Sequence, residues 1–254
     1  MQASYWRTSS VISGLALGLP ILTRLISELA FWLAEPLYHQ WRRLDPDNSF
    51  LMITLHHLWQ GSIALLVIIV IARSYRVNLS TFGFNTNGWQ DTLRLVALFC
   101  LGWFVIQASI GVTFIVVSDL STALPFPFTT RNIVRHLAFQ LLLSGSSEEI
   151  LFRALVMRPF LWYGSYSGLS TRITRLLAGG IATAIFMLAH INIAFDPLRI
   201  THFNLLQQLT CLIFGACYAW LFTRTGSLLG PILAHNLLNG VIVTTGISLF
   251  LLFG

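Results

Sequence analysis

Two adjacent glutamates lie in the middle of a long apolar run, where carboxylates are costly. The local sequence around Glu148 and Glu149 is SGSSEEILFR. Two later apolar runs also contain polar groups near their middle: His190 follows FMLA, and His235 and Asn239 bound the sequence HNLLN. An ionisable group at membrane depth is a candidate for function because its burial there is expensive. Carboxylates and imidazoles are also the groups that most often move protons in catalysis.

The spacing of these residues predicts which of them share a helix face. Successive residues are rotated by about 100° around an α-helix, so residues four apart are neighbours. Glu149 and Arg153 can therefore form an ion pair, whereas Glu148 faces another direction and stays free for other partners. The spacing of four occurs twice more, between Phe186 and His190 and between His235 and Asn239.

These residue types predict a site that activates water. Glu148 is the candidate general base, since a buried carboxylate can take a proton from water. His190 can orient that water, and His235 and Asn239 can donate hydrogen bonds to an oxyanion. The expected supporting residues are Glu149, Arg153 and Phe186. Taken singly, each polar residue is more often a structural hydrogen bonder between helices, so the combination in three runs favours a function.

The composition excludes a water-soluble enzyme and a disordered chain. Of the 254 residues, 56% are hydrophobic and only 9% are charged, and the mean hydropathy is +0.75. A soluble domain has about 25% charged residues. Because a membrane-spanning helix needs about 20 apolar residues, the chain can hold about seven or eight spans with short loops. We expect an all-α, polytopic bundle of transmembrane helices.

Seven apolar runs, bounded by turn residues and charges, predict the spans. They cover residues 11–33, 52–72, 93–117, 133–157, 176–195, 205–222 and 228–253. Residues 1–125 are expected to supply N-terminal membrane helices. Residues 126–254 are expected to form the helical core with the polar motifs, within one membrane domain overall.

The basic residues predict orientation rather than nucleic-acid binding. All 15 are Arg, the net charge is +6, and they are scattered between the apolar runs. This distribution excludes nucleic acid as a partner and is typical of residues that anchor loops at a membrane. Eight loop Arg residues fall on the side of the N-terminus and five on the other, which predicts a cytoplasmic N-terminus. We expect an integral protein of the plasma membrane or another internal bioenergetic membrane, in contact with lipid.

The three motifs together resemble the signature of the CPBP family. The first is EExxxR at residues 148–153, the second FxxxH at residues 186–190, and the third HxxxN at residues 235–239. That family includes CAAX prenyl endopeptidases of the Rce type, Abi proteins and bacteriocin-processing or immunity proteins. The family often has Gly after the motif Arg, where this chain has Ala154.

The resemblance implies hydrolysis of a peptide bond inside the membrane. The family's catalytic residues fall on Glu148, His190, His235 and Asn239. The implied substrate is a membrane-associated or prenylated protein. We expect no metal cofactor; a zinc site is the alternative, since two His and one carboxylate can form one. Its ligands would be Glu148, His190 and His235.

Two other functions fit the same residues less well. The chain can be a catalytically dispensable assembly or immunity partner in a membrane-protein complex, with motifs that serve folding. It can also be a small transporter with a proton relay, although the sequence shows no inverted repeat. His56 and His57, near the start of the second run, are expected to be structural residues at the membrane interface.

Overall fold

The chain folds into seven long helices and one small hairpin in the part that the structure describes. This structure is a computed structural model, and it describes residues 2–118 and 126–253. Six of the helices are α1 Gln2–Trp41, α2 Leu51–Ser74, α3 Trp89–Ser118, α7 Thr171–Ala189, α8 Leu205–Thr225 and α9 Leu229–Phe253. The seventh runs continuously over residues 130–166 and contains the α-helical segments α4 Thr130–Phe139, α5 Gly145–Glu149 and α6 Arg158–Tyr166. The predicted division between the N-terminal helices and the helical core, at residues 125 and 126, adjoins residues 119–125, which lie outside the described residues.

Within residues 2–118 and 126–253, six helices are long and apolar enough to cross a membrane, which confirms the predicted all-α polytopic bundle. Their outer faces carry large apolar side chains such as Leu101, Val116 and Leu252. Helix α3 packs mainly against α9. In the most apolar stretch of α3, only 6% of the residues are buried. Such surfaces are stable in lipid, where an apolar side chain needs no protein partner.

The helix over residues 130–166 contains two π-helical segments, whereas the sequence predicted a regular span over 133–157. The segments are α4 Thr130–Phe139, a π-helix Gln140–Ser144, α5 Gly145–Glu149, a second π-helix Ile150–Met157 and α6 Arg158–Tyr166. A π-helix has wider turns than an α-helix and is frequent at functional sites. The two glutamates therefore lie on a short α-helical segment between two wide ones.

Helix α7 ends at Ala189, so the predicted fifth span to Phe195 is too long. The chain then forms an antiparallel hairpin of β1 Asn192–Phe195 and β2 Leu198–His202. The two strands are joined by Asp196 and Pro197. Proline cannot continue a helix, and the residue before it favours an extended backbone. His190, predicted in the middle of a span, thus follows the last residue of α7.

The connections meet at two opposite ends of the bundle. At one end, the Asn85 side chain donates to the carbonyl of Gly226 at 2.9 Å. At the other end, Asn132 donates to Asp47 at 3.0 Å, and Arg131 forms an ion pair with the same carboxylate. These contacts agree with long helices that alternate in direction along the chain.

Asp45 organises the turn between α1 and α2. Its carboxylate accepts hydrogen bonds from the backbone N–H groups of Ser49, Phe50 and Leu51 at 2.9, 2.9 and 2.7 Å. Burial opposes ionisation of this carboxyl, but these hydrogen bonds outweigh burial and lower its pKa below the ordinary value of 3.8. The ionised carboxylate also lies at the N-terminus of α2, where negative charge is favourable.

Asp45→Asn should lower thermal stability in a pH-dependent way. A carboxyl whose pKa is lower in the folded state stabilises the fold above its unfolded pKa, and this stability is lost as the pH falls through the folded pKa. We expect a loss of about 1–3 kcal/mol at neutral pH, which shrinks below about pH 4. The measurement is the melting temperature in detergent from neutral to acidic pH. Asp91→Asn, in an exposed side chain, is the control; an effect of Asp45→Asn that did not change with pH would contradict the prediction.

Candidate functional site

A fully buried ion pair lies at the centre of the bundle. Nε of Arg153 donates to Oε2 of Glu149 at 2.8 Å, and neither side chain is exposed. The other oxygen, Oε1, lies 2.9 Å from Nδ1 of His235 in α9. The predicted ion pair between Glu149 and Arg153 is thus present. It also binds His235, which the sequence predicted to bind an oxyanion instead. One carboxylate and one guanidinium balance their charges where no solvent reaches them.

Aromatic rings enclose the Arg153 guanidinium. Its central carbon lies 5.7 Å from the ring centre of Phe186 and 5.9 Å from that of Tyr218. Both distances allow attraction between the cation and the ring faces. The Tyr218 ring also stacks on the His235 imidazole, with centres 4.8 Å apart and planes at 17°. These rings fix the orientation of both side chains that bind Glu149.

The Glu148 carboxylate lies between two imidazoles. Its Oε1 is 3.7 Å from Nε2 of His57, and its Oε2 is 3.8 Å from Nε2 of His235. Both separations exceed a direct hydrogen bond. Oε2 is buried and accepts no hydrogen bond within the described ranges 2–118 and 126–253. Glu148 therefore differs from Glu149. Two imidazoles lie close to its carboxylate, but no arginine of the described residues forms an ion pair with it.

The hydrogen bonds at Nδ1 determine the neutral tautomer of each flanking imidazole. Because Nδ1 of His235 faces the Glu149 carboxylate, it must carry the proton, and Nε2 then has the lone pair. Nδ1 of His57 lies 2.7 Å from Oγ of Ser147, whose hydroxyl donates to the Ser144 carbonyl at 3.0 Å. His57 thus also donates from Nδ1. Neutral His57 and neutral His235 both direct an acceptor towards Glu148.

Amide side chains of α9 attach it to the glutamate-bearing helix. Oδ1 of Asn236 accepts from the Gly145 backbone N–H at 2.8 Å. Nδ2 of Asn239 donates to Oγ of Ser144 at 3.1 Å. A Cβ on Gly145 would lie 2.6 Å from Cβ of His235, so only glycine allows this approach. Asn239 therefore lies beside the residue one turn before Glu148.

His190 lies beside this group without bonding to Glu148. Its Nδ1 is 2.8 Å from the Phe186 carbonyl oxygen, and its ring packs edge-on against the Phe186 ring at 4.7 Å. The same Phe186 ring lies 6.0 Å from that of His235. No hydrogen bond or ion pair joins His190 to Glu148 in the described part of the chain. The structure thus gathers all seven predicted residues, with His190 and Asn239 at the edges.

His57 is the principal residue that the sequence interpretation missed. It was expected at the membrane interface, but it is buried and faces Glu148. The buried residues of α2 include His57, Gln60, Gly61 and Ala64. This spacing of three and four marks one face of small and polar residues, which is typical of contacts between membrane helices. That pattern was a signal that His57 points towards the protein.

The residues of the alternative zinc site do not fit a metal ion in this arrangement. Among residues 2–118 and 126–253, no group of three His, Cys, Asp or Glu side chains could hold one. Of the three expected ligands, Nε2 of His235 lies 3.8 Å from Oε2 of Glu148, but His190 has no hydrogen bond or ion pair with Glu148 in the described residues.

Comparison with known families agrees with the motifs. Residues 130–241 match the model of a family described as Type II CAAX prenyl endopeptidase Rce1-like. This match supports the assignment of the chain to the CPBP/CAAX protease family and confirms the resemblance of its three motifs. At the level of the family it implies a membrane-bound endopeptidase. Comparison with curated proteins and with solved structures gives no significant match.

Glu149→Gln should lower the amount of folded protein. The change removes the charge that balances Arg153, and breaking a buried ion pair costs about 3–5 kcal/mol. The measurement is the yield of monodisperse protein in mild detergent, together with its melting temperature. The matched control is Glu28→Gln, because Glu28 pairs with Arg24 over the same spacing on an exposed surface. Wild-type yield and melting temperature for Glu149→Gln would show that the pair has no structural role.

Proposed function

We propose that the chain is an intramembrane endopeptidase that hydrolyses a peptide bond of a membrane-associated protein, with Glu148 as the base that activates water. One observation carries this proposal: two imidazole nitrogens flank the Glu148 carboxylate, and neither donates to it in the neutral state. A site lined by hydrogen-bond acceptors favours a ligand that can donate hydrogen bonds. Water is such a ligand, and it is also the second substrate of peptide hydrolysis.

The separations around Glu148 suit a shared water molecule. A polar contact longer than about 3.5 Å is often bridged by water, and both flanking contacts fall in that range at 3.7 and 3.8 Å. As the water oxygen bonds to the peptide carbonyl carbon, one of its protons passes to Glu148 and the carbonyl π electrons move to oxygen. Glu148 then returns the proton to the amide nitrogen while the C–N bond breaks.

Asn239 is proposed to stabilise the oxyanion of the intermediate, while neutral His235 accepts a hydrogen bond from the water at Nε2. Asn239 has two N–H donors, and Ser144 uses one of them, so the second is available. Neutral His235 has no proton at Nε2, so the oxyanion role that the sequence predicted for it would require an imidazolium. His190 is proposed to accept a hydrogen bond from the water on the substrate side, since its Nδ1 is held by the Phe186 carbonyl.

The proposed substrate is a membrane protein or a prenylated protein that reaches the site from the bilayer. The six helices of the described residues that are long and apolar enough to cross a membrane support an integral membrane protein. Its substrate must therefore be accessible in the membrane. The proposed orientation has the N-terminus in the cytoplasm, as the Arg distribution predicts. The alternative is a catalytically dispensable assembly or immunity partner, in which the same buried groups serve only the fold.

Glu148→Gln should abolish proteolysis without loss of protein. Glutamine has nearly the same shape but cannot take a proton, and general-base catalysis contributes about 10²–10⁴-fold to a rate. The measurement compares peptides from the membrane proteome of cells with wild-type and variant protein at equal abundance. Fragments that depend on the wild-type protein should disappear, while Glu28→Gln retains them. Unchanged fragments with Glu148→Gln would refute the glutamate mechanism. If cells with this variant behave as cells with the wild-type protein do, the assembly-partner alternative is favoured.

Activity should survive treatment with a strong chelator. If Glu148 activates water directly, an active preparation should contain much less than one zinc per chain. Zinc held by His and carboxylate ligands can leave slowly, so chelation and elemental analysis are made on the same sample. Stoichiometric zinc that is lost together with activity and restores it when added back would establish the metal-dependent alternative.

A further inference from the structure

A groove separate from the glutamate site runs along the outside of the bundle between α7 and α8. Its volume is about 860 Å³. One end is lined by Arg172 and Arg224, and the other by Met187 and Leu212. The two helices run antiparallel along its length. The groove therefore extends from the connection before α7 towards the level of the Phe186 ring.

Small residues make the groove hollow. Gly180 lines it, and a Cβ added there would have no atom within 4 Å. Ala184 and Ala216 line it as well, so neither helix fills the space with a side chain. Thr183 also lines the groove, is only 4% exposed, and has an Oγ1 without a hydrogen-bond partner in the described residues. The groove is thus mainly apolar, with one unpartnered hydroxyl in its wall.

One end of the groove is strongly positive. Arg172 and Arg175 line it and form no ion pair within residues 2–118 and 126–253. Arg224 has one weak ion pair, with Asp91 at 3.9 Å, where both side chains are largely exposed, and its guanidinium carbon lies 5.5 Å from the ring centre of Trp220. Both unpaired arginines lie in the first turns of α7, where the helix dipole adds to the positive potential. This end is complementary to an anionic group such as a phosphate.

The dimensions fit a lipid in one leaflet. From Arg175 to Met187 the helix rises by about 18 Å, at about 1.5 Å per residue. Half of the hydrocarbon core of a bilayer is about 15 Å thick. A positive end followed by an apolar channel of this length matches a charged headgroup with an acyl chain. A soluble anion would leave the channel empty, and a lipid without net negative charge would leave the charge of the arginines unbalanced.

We propose that the groove between α7 and α8 binds an anionic phospholipid of the surrounding bilayer. The phosphate contacts Arg172 and Arg175, and one acyl chain lies over Gly180 between Ala184 and Ala216. Basic pockets between membrane helices are suited to such headgroups. The proposal is independent of proteolysis, because none of these residues belongs to the glutamate site.

Native mass spectrometry of the full-length protein tests the proposal. The protein is purified in mild detergent with equal amounts of phosphatidylglycerol and phosphatidylcholine of the same acyl chains. We expect selective retention of phosphatidylglycerol. The double variant Arg172→Gln/Arg175→Gln should lower retention at least tenfold, and so should Gly180→Leu, which fills the channel. Ala216→Leu fills it from the other helix and serves if Gly180→Leu fails to fold.

Matched controls separate this site from general attraction to the surface. Arg94→Gln removes an exposed arginine outside the groove, and Gly102→Leu adds the same side chain at an open glycine of α3. Both controls should retain the lipid as the wild type does. Equal retention of the two lipids would overturn the proposal, as would undiminished retention by the folded channel-filling variants. Preferential displacement of phosphatidylglycerol by a prenylated peptide would show that the groove binds a substrate chain instead.

Discussion

The buried contact between Glu149 and Arg153 is the constraint on which the rest of the site depends. Two opposite charges that are buried away from solvent are compatible with a stable fold only if they stay paired and hydrogen-bonded. Their geometry is held by the aromatic rings on the guanidinium and by His235 on the second carboxylate oxygen. The pair therefore does more than neutralise charge. By accepting from Nδ1 of His235, it determines which nitrogen of that imidazole faces Glu148.

Close helix packing then brings a third helix to the same carboxylate. Gly145 allows α9 to approach the glutamates, and Gly61 of α2 lies so close to Ser147 that a Cβ there would be 3.0 Å from Cβ of the serine. His57 reaches Glu148 because of this approach. Small residues of this kind let membrane helices come close enough for polar side chains to bond across them. The two glutamates consequently meet different partners although they are adjacent in the chain.

Local spacing predicted the parts of the site that lie on one helix, and long-range contacts could not be predicted in the same way. The pairing of Glu149 with Arg153 follows from a separation of four residues, and the helical class follows from the apolar runs. The π-helical segments, the end of α7 before His190 and the burial of His57 depend on packing between distant parts of the chain. The bond between His235 and Glu149 joins residues 86 positions apart, so no helical periodicity indicates it.

The tautomer of His235 is the most direct test of this account. Nitrogen NMR of protein with ¹⁵N-labelled histidine distinguishes a protonated from an unprotonated ring nitrogen, and the spectrum of His235→Asn identifies the His235 signals. We expect a proton on Nδ1 and none on Nε2 when the imidazole is neutral. Because only this tautomer directs an acceptor towards Glu148, a neutral His235 with its proton on Nε2 would contradict the proposed arrangement of the site.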